Sequence, residues 1–158
     1  MRRLKTIISL LLLLTAPAMA QQSQGDTTTR SASDTTQVGE FDWRPVIDAI
    51  IWIESKGNPR ARCGPYVGVM QISPGLVREC NNILKARGEE RRFTLDDRYS
   101  PEKSKEMFRL MMSKYNPEND IDKACRIWNG GVRYSRQRTQ GFVNKARRYM
   151  EAHKNDYK

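Results

Sequence analysis

The sequence predicts a mostly α-helical domain over residues 41–155, with at most a small β element near residues 63–69. Apolar side chains return at three- and four-residue steps in successive stretches between Trp43 and Met150, the period of helices with one buried face. These stretches are punctuated by pairs that start or stop helices, among them Ser73-Pro74, Ser100-Pro101 and Asn116-Pro117. No run alternates apolar and polar residues long enough to demand a large sheet.

The 158 residues suffice for one domain with a core, but the first 40 have a different character. Arg2, Arg3 and Lys5 precede the apolar stretch Ile7 to Leu14, and Ala18-Met19-Ala20 supplies a small-x-small cleavage pattern before Gln21. Residues 1–20 are therefore expected to be a signal peptide. The apolar stretch falls short of the roughly 20 residues a spanning helix takes, so no stable membrane insertion is expected after cleavage. Residues 21–40, QQSQGDTTTRSASDTTQVGE, hold almost nothing to bury and are expected to form a disordered linker.

In the domain, Asp42 is placed to cap a first helix that tolerates Pro45 in its opening turn. Trp43, Ile47, Ile50, Ile51 and Glu54 share one face of that helix, and Gly57-Asn58-Pro59 stops it. Gly64, Pro65 and Gly68 mark a loop or short hairpin through Tyr66, Val67 and Val69. Ser73 caps a second helix striped by Leu76, Cys80, Ile83 and Leu84 and ended by Gly88, after which Glu89 to Tyr99 is charged and loop-like. A third helix starts at Pro101 and buries Met107, Phe108, Met111, Met112 and Tyr115. A fourth runs from about Ile121 to Trp128 with Ile121, Ala124, Cys125 and Trp128 at helical spacing. A fifth, capped by Thr139, carries Phe142, Val143, Ala146, Tyr149 and Met150.

Lys and Arg number 28 against 18 Asp and Glu, a net charge of +10 that becomes +7 when the three basic residues of the leader are removed. A basic exported chain is drawn to polyanions such as wall glycan or anionic lipid. Export argues against nucleic acid as a partner, despite the basic and aromatic stretch Arg126 to Arg148. Cys63, Cys80 and Cys125 are expected to give one disulfide and one buried thiol, with the pairing open.

Glu54 is the candidate for chemistry. Its face is shared with Ile50 and Ile51, it lies near the negative end of a helix, and spacing forces no cation onto it, although Lys56, Arg60 and Arg62 are close in sequence. A Glu held protonated near neutral pH serves as a general acid. Taken alone, the same position also suits a salt-bridged or solvent-facing Glu. Other schemes are poorly supplied: the sole histidine, His153, falls in a stretch expected to fray. HExxH, CxxC and GxxxxGK[ST] spacings are all missing, so no metal and no cofactor is expected.

Four blocks then fit together. Glu54-Ser55 with Asn58-Pro59, Gly68-Val69-Met70-Gln71-Ile72-Ser73-Pro74, Ala124 with Trp128-Asn129-Gly130, and Phe142-Val143-Asn144-Lys145 resemble, in order and spacing, the soluble-type lytic transglycosylases. The resemblance spans roughly Val46 to Tyr149. It implies a lysozyme-like fold of the goose type, and cleavage of the β-1,4 bond between N-acetylmuramic acid and N-acetylglucosamine without water, leaving 1,6-anhydro ends. Glu54 would act first as acid and then as base, so one carboxylate replaces the pair that sugar hydrolases need. Gln71 would hydrogen-bond sugar near the cleavage point, Met70 would pack behind it, and Asn129 would shape the groove, with a glycine pair leaving room for glycan. Tyr66 and Trp128 complete the expected substrate-binding set. Where the family often has Ser, Tyr and Tyr, this chain has Cys63, Trp128 and Phe142; Tyr66 or Tyr134 would stand in for a lost hydroxyl. A disulfide from Cys63 to Cys80 or Cys125 would pin the loop. The small domain is similar to the specialised transglycosylases of secretion or conjugation machines, which implies the bacterial periplasm and peptidoglycan strands as substrate. Two rivals stand beside this reading: a hydrolytic muramidase on the same fold, and a catalytically weak wall-binding subunit.

Overall fold

The computed structural model describes residues 41–158; the expected leader (1–20) and linker (21–40) lie outside the described residues. Within them the chain is mostly helical with one small antiparallel sheet, as the periodicity predicts. Helix α1 (Arg44–Ser55) leads into strands β1 (Arg62–Cys63) and β2 (Tyr66–Val67), then α2 (Pro74–Ala86), a 3-10 turn (Asp96–Tyr99), α3 (Pro101–Tyr115), α4 (Ile121–Gly130), α5 (Arg136–Ala152) and a closing 3-10 turn (Lys154–Tyr157).

The core forms where the apolar stripes meet. Val46, Ile47, Ala49 and Ile50 of α1 are buried with Met107, Phe108 and Met112 of α3, while α5 brings Val143 and Ala146 against α1 and α4. Each large apolar side chain sealed there contributes about 1.5–3 kcal/mol relative to exposure. Phe108 links the layers: its ring lies 5.4 Å from Trp43, edge-on, and 5.4 Å from Trp128. The Ser-Pro starts behave as expected. Ser73 Oγ accepts from Leu76 N at 3.2 Å and Ser100 Oγ from Lys103 N at 3.2 Å, bonds of the kind that hold a helix start by about 1 kcal/mol each.

Several expectations need correction. Asp42 lies one residue too early to be the cap: Trp43 occupies that position, and the Asp42 carboxylate instead accepts from Arg44 N at 2.9 Å and grips the Arg44 guanidinium. Ser135, not Thr139, caps α5; Thr139 is buried inside the helix, where its Oγ1 donates to the Ser135 carbonyl at 2.7 Å. Ile121 sits in the first turn of α4 facing solvent rather than the core. Glu89 to Tyr99 is not an open loop, because Phe93 and Arg98 are buried within it and Asn81 of α2 clamps Phe93 through both backbone groups, at 2.9 and 2.8 Å.

The stretch around His153, expected to fray, is packed. His153 stacks on Tyr149 at 4.0 Å, and the closing turn lets Tyr157 donate its hydroxyl to Asp48 of α1 at 3.0 Å. All three cysteines are free thiols. Cys63 lies exposed on the hairpin, whereas Cys80 and Cys125 are sealed in the helical core, where burial pushes both thiols up to about 12. The expected disulfide is therefore replaced by one surface thiol and two inert ones.

Candidate active site

Glu54 occupies the last turn of α1, with Ser55 ending the helix behind it. Two contacts fix that end. Lys56 adopts the left-handed conformation (φ 56°) and its N–H closes the helix on the Trp52 carbonyl, while Ser55 Oγ donates to the Val69 carbonyl at 2.8 Å. Ser55 thus ties the acid-bearing turn to the second sequence block, a structural role rather than a catalytic one.

That second block is a tight loop. Val67 and Ile72 exchange backbone hydrogen bonds at 3.3 and 2.9 Å, so Gly68 to Gln71 forms a closed turn carrying Met70 and Gln71 at its tip. Gly68 is required there: its φ is 78°, and a Cβ would stand 1.8 Å from the Arg98 carbonyl oxygen. Gln71 is held at φ 51°, a left-handed conformation that costs a side-chain-bearing residue about 1–2 kcal/mol. Its Nε2 donates to the Gly68 carbonyl at 2.9 Å, which aims the amide and leaves Oε1 without a partner among the described residues. Met70 is fully buried behind the tip, as expected for a packing residue. Trp128 Nε1 donates to the Met70 carbonyl at 3.2 Å, joining the third block to the second.

Between these blocks lies a cleft of about 280 Å³. Glu54, Tyr66, Gln71, Trp128 and Asn129 line it together with Cys63, Ser73 and Leu76. Among the described residues Glu54 is its one carboxylate. No protein donor or cation engages Glu54 among the described residues, and no buried side-chain polar atom there lacks a partner, so its oxygens open onto the cleft rather than into the core. Burial alone pushes its carboxyl from the usual 4.5 up to about 7. None of the three nearby cations pairs with it: Lys56 lies over the Trp52 ring at 4.3 Å, and Arg60 and Arg62 line a different cavity.

The expected set is therefore brought together, with Met70 as its backing. Three expectations change. Phe142 is a core residue and Tyr134 packs against the core, so neither belongs to the cleft lining and Tyr66 supplies its one phenol. Gly130 makes room for protein rather than glycan, since a Cβ would come within 2.7 Å of Thr139 and 2.9 Å of Tyr134 where α4 meets α5. The hairpin is pinned by an arginine instead of a disulfide. Buried Arg98 donates to the carbonyls of Leu95, Pro65 and Ile72 at 2.7, 3.2 and 3.3 Å, holding both ends of the segment that carries Tyr66 and Gln71. A charged stretch concealed that residue from pattern reading.

His153 lines a separate groove with Trp52 and Tyr149 and takes no part in the cleft. Among the described residues no three His, Cys, Asp or Glu side chains converge as metal ligands. Comparison of the chain with protein-family models, with curated proteins and with solved structures returned no match.

Proposed function

We propose that the chain is a peptidoglycan lytic transglycosylase with a lysozyme-like fold, working in the bacterial periplasm on glycan strands, in the service of a secretion or conjugation apparatus. One observation carries this reading. A lone carboxyl, raised by burial to about 7 and without an ion pair among the described residues, shares its cleft with Gln71 and Asn129 from two other sequence blocks. A protonated Glu of that kind suits a general acid at neutral pH.

In this reading Glu54 gives its proton to the oxygen linking N-acetylmuramic acid to N-acetylglucosamine, and the bond from that oxygen to the muramyl C1 breaks. The muramyl acetamido group supports the charge developing at C1. The Glu54 carboxylate then takes the proton of the C6 hydroxyl, whose oxygen bonds to C1 and closes the 1,6-anhydro ring. The proton count returns to its start and no water is consumed. The Gln71 amide, aimed by Gly68, positions the sugar; it shares the cleft with Trp128 and Tyr66, which would pack against pyranose.

The single carboxylate favours this route over hydrolysis, which needs a second acid to activate water. Mass analysis of fragments released from purified peptidoglycan separates the possibilities. Anhydro-muramyl ends are expected; reducing ends, each heavier by one water, would instead identify a muramidase. Pelleting with insoluble wall but no release would leave a wall-binding subunit.

A further inference from the structure

The hairpin is a wall with two sides. Cys63 and Tyr66, paired directly across β1 and β2, both line the cleft that holds Glu54. Arg62, the neighbour of Cys63 in β1, lines a second cavity of about 650 Å³ with Pro59, Arg60, Tyr99 and Pro101. Alternation along the strand explains the division, since adjacent side chains leave opposite faces.

This second cavity is lined by two prolines, a tyrosine and two solvent-exposed arginines. Neither Arg60 nor Arg62 has a carboxylate partner among the described residues, and the sequence holds no Asp or Glu from Ser55 through Arg78. Glu102, next to Pro101 in α3, has its carboxylate engaged by the Ser100 hydroxyl at 3.1 Å. Arg60 is presented by a defined turn, for its N–H donates to Asn58 Oδ1 at 2.9 Å and Ala61 N–H donates to the Asn58 carbonyl at 3.2 Å. The hairpin base is closed by Gly68 N–H on the Ala61 carbonyl at 2.9 Å. The pair is thus built into a supported wall, with proline and tyrosine faces beside it.

Such a site fits an organic carboxylate with an apolar body. Guanidinium groups take carboxylates through paired, charge-assisted hydrogen bonds, and the prolines and Tyr99 suit the aliphatic part of a peptide. We propose that this cavity binds the acidic stem peptide carried by the muramyl residue while the glycan lies in the cleft on the other side of the hairpin. The proposal rests on the peptidoglycan reading above and adds to it: recognition extends from the sugar to its peptide, so strands stripped of peptide are the poorer ligands.

The test uses binding, which does not depend on catalysis. Stem peptide released from purified peptidoglycan is titrated into the wild-type protein by calorimetry, beside the same peptide with its carboxyls amidated. The acid form is expected to bind in the millimolar range or tighter, and the amidated form about tenfold more weakly. The Arg60→Gln/Arg62→Gln variant is expected to lose about the same factor toward the acid form, and Arg60→Lys/Arg62→Lys to recover part of it. Equal affinities for acid and amide, equal affinities of wild type and the glutamine variant, displacement by an equal concentration of acetate, or no binding at all would each overturn the proposal. The outcomes stay separable from the enzymatic reading. Peptide binding without anhydro products leaves the cavity standing and removes the lyase; anhydro products without arginine-dependent peptide binding do the reverse.

Discussion

Glu54 and Arg98 are both ionisable groups drawn into the same small region, and the protein treats them oppositely. Arg98 is buried and meets three backbone carbonyls, so its charge is repaid by hydrogen bonds that hold the hairpin and the Gln71 loop in place. Glu54, partly buried, meets no donor and no cation among the described residues, and its carboxyl rises to about 7. A buried charge with all its partners is scaffold. A carboxyl denied them keeps its proton up to about pH 7, where both forms are populated, and a group of that kind can give a proton and take one back.

The largest test of this contrast is Glu54→Gln, which keeps the shape and removes the titratable proton. On the proposed transglycosylase reading, release of anhydro-muropeptides is expected to fall about 10²–10⁴-fold while wall binding persists; retention of activity would put the acid elsewhere. Next, Gly68→Ala drives a methyl into the Arg98 backbone in a conformation alanine resists. A loss of about 3–5 kcal/mol is expected in denaturant unfolding, with the hairpin displaced.

Arg98→Met keeps much of the bulk but leaves three carbonyls without their donor. A cost of about 3 kcal/mol is expected by the same measurement. Wild-type stability near that of the variant would mean the guanidinium is not the pin.

The smallest effect concerns pH. In the unfolded chain Glu54 ionises near 4.5, and in the folded one near 7. Between those values the native state keeps a proton that the unfolded state has lost, so its contribution to stability declines as pH rises from about 4.5 to about 7 and stays lost above. Solvent in the cleft limits the size. Glu54→Gln is therefore expected to gain about 1–3 kcal/mol on wild type near pH 8 and almost nothing near pH 4, checked by urea unfolding at both. If Glu54 is the general acid as proposed, the same ionisation predicts that the reaction rate falls as pH rises through about 7.

Much of the fold was legible because its signals are local. Ser73-Pro74 and Ser100-Pro101 start helices by chemistry contained within four residues, and both behave as expected. Sequence pattern misleads where a distant partner decides. Thr139 resembles a cap in sequence, yet Ser135 is chosen because Thr139 is needed inside, where Arg126 donates to its hydroxyl at 3.1 Å. Arg98 looks like surface charge until the carbonyls of Pro65 and Ile72, 33 and 26 residues away, are known. At the candidate site, the period of α1 places Glu54 on a half-apolar face, and only the resemblance carried by the blocks around Gln71 and Asn129 implies a groove shared with it. The fate of Lys56, Arg60 and Arg62 had no local signature, and that fate is what leaves the acid unpaired.

Cys63 carries a practical consequence. It stands at the lip of the cleft as an exposed thiol, while Cys80 and Cys125 are sealed in the core with thiols pushed up to about 12. A maleimide dye or nitroxide offered to the native protein will therefore attach at a single position without any engineered cysteine. Because that position shares its strand with Arg62 and its cleft with Glu54, one probe there can test for the proposed ligands on either side of the hairpin through a change in emission or spin mobility.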